Sequence, residues 1–180
     1  MFENISEELK QAIVGISQSQ IFPDQALASY RVISDECKVR NSFADENIEY
    51  VCQHGYLRHI TEEFHENPLR LLVCRAALSS LTHVSLNEKN ALTVARSGII
   101  DILLSVTIAF HEDPLGDVAL TCLSSLALHK EARPFLLTAN VISVALKYLR
   151  YLNAEDDRGI DFGLTAASLI CRLSDMGKTK

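Results

Sequence analysis

Apolar positions recur along this chain at three- and four-residue steps. Leu71, Cys74, Leu78 and Leu81 form one such series, and Leu115, Val118, Cys122 and Leu126 form another. That spacing lines one side of an α-helix, so each series predicts an amphipathic helix. Residues 99–110 are apolar on nearly every side, the pattern of a helix covered from two directions. A shorter helical segment, residues 90–96, precedes Gly98. Asp113 before Pro114 has the chemistry of an N-cap ahead of a first-turn proline, and Asn67-Pro68 offers the same pair. The predicted unit is a short helix, a turn at glycine, a buried helix, a proline and a long amphipathic helix.

The unit repeats. Leu78-Ser79-Ser80-Leu81 returns as Leu123-Ser124-Ser125-Leu126, and His65-Glu66-Asn67-Pro68 returns as His111-Glu112-Asp113-Pro114. Gly55 and Gly98 occupy equivalent places, each eight residues after an asparagine, Asn47 or Asn90. These landmarks keep their order at offsets of 43 to 46 positions, which is the mark of a repeat array. In a third copy Asn140 stands where the glycines stood, and Asn also tolerates a left-handed backbone. Ile170-Cys171-Arg172-Leu173 then takes the place of the Leu-Ser-Ser-Leu element. Upstream, Pro23 and the apolar series after it match the proline-led helices, with residues 7–17 as their partner. The expected organisation is one domain over 1–180, with a leading helix pair in 1–40 and repeats at 41–85, 86–129 and 130–175.

This layout resembles the armadillo repeat from Pro23 to Asp175, best over Asn90-Ala91-Leu92-Thr93-Val94-Ala95-Arg96-Ser97-Gly98-Ile99-Ile100-Asp101-Ile102-Leu103-Leu104. The resemblance implies an all-α fold, an armadillo-type right-handed α-solenoid whose third helices line a concave groove. HEAT repeats, with two helices per unit, are the structural alternative. In peptide-binding armadillo proteins the third helix carries a Trp and, four residues on, an Asn. Alignment on the Leu-Ser-Ser-Leu element puts those positions at Ala76 and Ser80, Thr121 and Ser125, then Ser168 and Arg172. None is Trp or Asn, and the chain contains no Trp, which argues against an import receptor or a catenin-like reader of long peptides. The groove is expected to present Arg75, Ala76, Ser80, Thr121, Ser125, Ser168 and Arg172 to a partner protein, the small side chains admitting a partner helix.

Composition narrows the classes further. Seven Gly and four Pro in 180 residues are too few for the many tight turns of a sandwich or barrel. With 48% apolar and 22% charged residues the chain is not of the disordered type. A net charge of −6 disfavours binding to a phosphate backbone. The charge is uneven, twelve acids against five bases through Glu66 and eleven against twelve after it. Cys37, Cys52, Cys74, Cys122 and Cys171 are widely spaced in apolar contexts, as expected of reduced, buried thiols in a cytoplasmic, nuclear or cytoskeleton-associated protein. No apolar stretch is long enough for a membrane span, and no signal peptide is visible.

Catalytic chemistry finds little support. There is no Gly-rich phosphate loop, HExxH, GxSxG or paired CxxC. His65 and His111 fall in register in successive copies, which suits packing in a loop. His83 and His129 follow their Leu-Ser-Ser-Leu elements, where a partly charged imidazole would complement a helix C-terminus. Cys52 and His54 stand two apart, on different sides of a helix, so they do not form a thiolate–imidazole pair. Glu62, Glu63 and Glu66, and Glu155, Asp156 and Asp157, read as solvated charge. The expectation is therefore no enzyme, no catalytic residue, no metal and no cofactor. The expected function is a scaffold or adaptor that binds another protein through the groove or an exposed end. The alternative is a structural segment of a longer solenoid that self-associates or spaces other domains. Leu164, Leu169, Ile170 and Leu173, close before Gly177-Lys178-Thr179-Lys180, are the residues expected at such an end, with a homo-oligomer as one outcome.

Overall fold

A computed structural model describes residues 2, 4–19, 22–38 and 40–175. Among them the structure is all-helical, with no strand. The chain divides into two compact units, Met1–Asn90 and Ala91–Lys180. The expected chain end, Gly177-Lys178-Thr179-Lys180, lies outside the described residues.

The first unit holds α1 (Glu7–Ser17), α2 (Pro23–Glu36), α3 (Ala44–Gln53), α4 (Tyr56–Glu66) and α5 (Leu71–Ser85). The boundary falls within α6 (Glu88–Arg96). The second unit continues with α7 (Ile99–Ala109), α8 (Pro114–Leu126), α9 (Arg133–Thr138), α10 (Val141–Tyr148), a 3-10 turn (Leu149–Asn153) and α11 (Asp157–Ser174). Three helix triads thus follow a leading pair. In each triad the first and second helices meet at a left-handed residue: Gly55 at φ 84°, Gly98 at φ 84° and Asn140 at φ 60°. That conformation turns the chain sharply within two residues; at Gly98 the bend between α6 and α7 is 80°.

Packing follows the same order in both units. In the first, α1 meets α4 and α2 meets α5; in the second, α7 meets α10 and α8 meets α11. Second helices pack on second helices and third on third, within each unit. Tyr30, Tyr56, Ile60, Leu78 and Leu81 are fully buried in the first unit, and Ile99, Leu103, Leu115 and Leu120 in the second. Each fully buried aliphatic side chain contributes about 1.5–3 kcal/mol relative to exposure.

Caps and anchors explain the helix ends. Asp113 takes the N-cap of α8, its carboxylate accepting from Leu115 N at 2.8 Å. The parallel expectation at Asn67-Pro68 fails, because α5 begins only at Leu71. Asn67 instead closes α4 and accepts from Arg70 N at 3.0 Å, so the proline sits in a turn. The core face of α5 is accordingly Val73, Cys74, Ala77, Leu78, Leu81 and Val84, while Leu71 is exposed. The repeated asparagines are structural. Asn47 is buried and donates to Glu36 O at 2.9 Å, tying α3 to the end of α2. Asn90 donates to Asn87 Oδ1 at 3.0 Å ahead of the α6 face.

The cysteines divide. Cys37, Cys74 and Cys122 are buried and Cys52 is half-buried, but Cys171 is exposed on α11, against the expectation that all are core packers. Burial pushes the Cys52 thiol up to about 12. No single helix among the described residues is long and apolar enough to cross a membrane.

Candidate functional site

A polar–apolar concavity of the first unit lies between α2 and α5. It is a cleft of about 450 Å³, bounded by Leu27, Arg31, Ser34 and Asp35 on α2 and by Leu72, Arg75, Ala76 and Ser79 on α5. The two helices run parallel. At their N-terminal ends, Arg70 Nη1 donates to Ser19 O at 2.8 Å. At their C-terminal ends, Cys37, His83 and Leu86 line one neighbouring depression, and His83 feels the charges of Lys38 and Asp35.

Parallel helices arrange the cleft in tiers along its length. Leu27 and Leu72 come first, and Leu72 is 69% exposed. About one turn on, roughly 5.4 Å, stand Arg31 and Arg75. Small residues follow: buried Ser34, with half-buried Ala76 and Ser79. Asp35 closes the far end and is paired with Lys38. Among the described residues neither Arg31 nor Arg75 has an ion pair or hydrogen bond. Two guanidinium groups therefore face the cleft with their donors free.

The equivalent cleft in the second unit, between α8 and α11, has opposite chemistry. It is lined by Asp117, Thr121, Arg158, Asp161, Phe162 and Thr165. Its guanidinium is already engaged: Arg158 Nε and Nη2 donate to the Asp117 carboxylate at 2.7 and 3.0 Å.

The sequence-predicted groove residues scatter. Arg75 and Ala76 line the α2/α5 cleft and Thr121 lines the α8/α11 cleft. Ser80 and Ser125 do not reach either surface. Ser80 is fully buried, its hydroxyl sharing a 2.6 Å hydrogen bond with Tyr56 Oη and donating to Ala77 O at 2.8 Å. Ser125 is buried and donates to Thr121 O at 3.0 Å. A serine hydroxyl satisfied by its own helix packs like a small core residue, which is why small and hydroxylic did not mean solvent-facing here. Ser168 is half-buried on α11. Arg172 serves as an anchor: its Nη1 donates to Ser124 O at 2.6 Å and to Ser124 Oγ at 2.7 Å. Arg133 Nε adds a 2.8 Å bond to Ala127 O, so two cations close the C-terminal carbonyls of α8.

The proposed end surface on α11 also changes. Leu169 and Leu173 are buried where α11 meets α8, α10 and the 3-10 turn, Ile170 is half-buried, and Leu164 alone of the four is exposed, at 54%. Two further expectations are corrected. Glu63 is not solvated charge but buried, with Arg70 Nη1 3.9 Å from its Oε1. The His83 imidazole is not held charged by the helix end; burial, and then Lys38, lowers its pKa.

Sequence reasoning missed Leu27, Arg31 and Leu72. Their signal was present: Leu72, Arg75, Ala76 and Ser79 form a second helical stripe beside the buried one on α5. Among the described residues, no three His, Cys, Asp or Glu side chains are gathered as metal ligands would be. Comparison with protein-family models, with curated proteins and with solved structures finds no significant match.

Proposed function

We propose that this chain is an armadillo-type protein-interaction module that binds a segment of another protein in the cleft between α2 and α5. The observation that carries this reading is the exposed Leu72 beside two guanidinium groups without a partner among the described residues, over a floor of small residues. An apolar side chain left 69% exposed gains by desolvation, and free guanidiniums offer directional donors. Small Ala76 and Ser79 leave room for a backbone to approach. The repeat-wise packing of second on second and third on third helices supports the armadillo-type reading.

The test is a comparison of captured partners. The parent chain and a Leu72→Glu variant are each used as bait, with helicity measured on both. Leu72 projects outward, so the variant keeps its fold. Partners retained by the parent and lost from Leu72→Glu support the cleft; an identical set from both baits overturns it.

A further inference from the structure

The tiers of the cleft carry the proposed function a step further, to the chemistry of the partner; the inference rests on the cleft being the binding surface. Leu27 and Arg31 stand about one turn apart on α2 and Leu72 and Arg75 about one turn apart on α5, and all four line the cleft. A ligand that satisfies both levels needs an apolar group and an anionic group about one helical turn apart. On a helix that is a Leu, Ile or Phe with an Asp or Glu three or four positions away. We infer that the α2/α5 cleft binds an amphipathic helical segment of a partner protein, whose apolar side chain seats between Leu27 and Leu72 while its Asp or Glu carboxylate bridges Arg31 and Arg75.

Charge around the cleft decides which anion fits. Through Asn90 the chain has thirteen acids and eight bases, so the first unit as a whole repels a polyanion. Asp35 lies one turn beyond Arg31 on the cleft wall, and a run of acids longer than one turn meets it. The positive potential is local and short. It suits one carboxylate in an apolar setting, not a nucleic acid or an acidic tail. Two guanidiniums without competing partners among the described residues can each engage a carboxylate with parallel N–H donors. A lysine or arginine on the partner at this level would place like charges together, so the site discriminates by sign as well as by shape.

The probe is a phage-displayed library of alanine-based helical peptides, randomised on one face and panned against the full chain. Enriched peptides are expected to carry an apolar residue with Asp or Glu three or four places away. Binding of one such peptide, followed by fluorescence anisotropy, should weaken about tenfold for Arg31→Gln with Arg75→Gln and weaken as salt rises. A peptide in which Lys replaces the acid should bind the doubly reversed Arg31→Glu, Arg75→Glu chain better than the parent. Ala76→Trp fills the cleft and separates the two levels of inference. If Ala76→Trp abolishes binding while the Gln variants leave it unchanged, or if the enriched faces are neutral or basic, the acidic partner is overturned and the cleft stands. If no peptide is enriched, or binding survives Ala76→Trp, both fall together. Circular dichroism of every variant keeps misfolding from passing as lost binding.

Discussion

Arg158, in the first turn of α11, grips Asp117, in the first turn of α8, through both carboxylate oxygens at 2.7 and 3.0 Å. The same guanidinium donates from Nη1 to Glu112 O at 2.7 Å and from Nη2 to His111 O at 3.2 Å. One side chain thus fixes the α7–α8 loop and the start of α11 against α8. The planar fork makes this possible, since an ammonium cannot serve a carboxylate and two carbonyls in one plane. Arg158→Ala should lower stability by about 1–2 kcal/mol, a figure reduced for partial exposure. Arg158→Lys should lose most of the same amount. Urea midpoints for the three chains check this; a Lys variant as stable as the parent would show that charge alone suffices.

Two glycines in the second unit make different demands, and substitution separates them. Gly98 is left-handed at φ 84°, yet a Cβ there would meet nothing within 4 Å. Its role is conformational, since no neighbouring atom demands the missing side chain. Gly98→Ala should therefore cost about 1–2 kcal/mol, and Gly98→Asn less, as Asn140 already takes this conformation in the next triad. Gly116 sits in α8, where a Cβ would come within 2.7 Å of the Phe110 carbonyl carbon. The obstacle is backbone, which cannot swing aside, so Gly116→Ala should destabilise more than Gly98→Ala. Thermal melts of the pair give the ranking, and the reverse order would mean that the α7–α8 loop yields easily.

His83 supplies a pH dependence with a definite sign. Burial lowers its pKa below the ordinary 6.5, Lys38 lowers it further and Asp35 opposes. The folded state then holds its proton less tightly than the unfolded state, so unfolding takes up a proton as pH falls below 6.5. The stability from the neutral imidazole is complete above the unfolded pKa and is lost as pH falls toward the folded one. His83→Gln should therefore gain relative to the parent between neutral pH and about pH 5. Stability–pH curves that stay parallel for parent and variant would remove His83 from this role.

The repeat and its turns were legible because they rest on local chemistry. Gly55, Gly98 and Asn140 are read from which residues tolerate positive φ, and Asp113-Pro114 from cap and first-turn preferences. The helix at residues 7–17 appears with the bounds expected of it. The cleft was less legible because periodicity says which residues share a face but not which face is covered. Ser80 and Leu72 show the failure in both directions. The serine, polar enough to suggest solvent, is sealed under Tyr56; the leucine, apolar enough to suggest core, is 69% exposed. What decides each is which neighbouring helix covers that face, and a single helix's periodicity does not name its neighbour.

Glu63 is the residue whose cost sequence could not show. It lies on α4 with a wholly buried side chain, and among the described residues neither carboxylate oxygen has a hydrogen-bonding partner. The buried Tyr30 hydroxyl is also without one, and burial together with the Glu63 charge pushes its pKa up. Arg70 stands nearby with Nη1 3.9 Å from Glu63 Oε1, but that nitrogen is bonded to Ser19 O at 2.8 Å. A buried carboxylate whose cation stands 3.9 Å away recovers little of its desolvation cost from that pair, and an apolar replacement of similar volume removes that cost. Removing the cation instead leaves the carboxylate worse off and deletes the α4–α5 loop's bond to Ser19. Arg70→Met alone should thus lose about 2 kcal/mol, whereas Glu63→Met, alone or with Arg70→Met, should lose less than that or gain. A double-mutant cycle on urea midpoints reads the coupling directly. If Glu63→Met proves the most damaging of the three, the carboxylate holds the first unit together through contacts stronger than the pair with Arg70, and its burial is a stabilising feature after all.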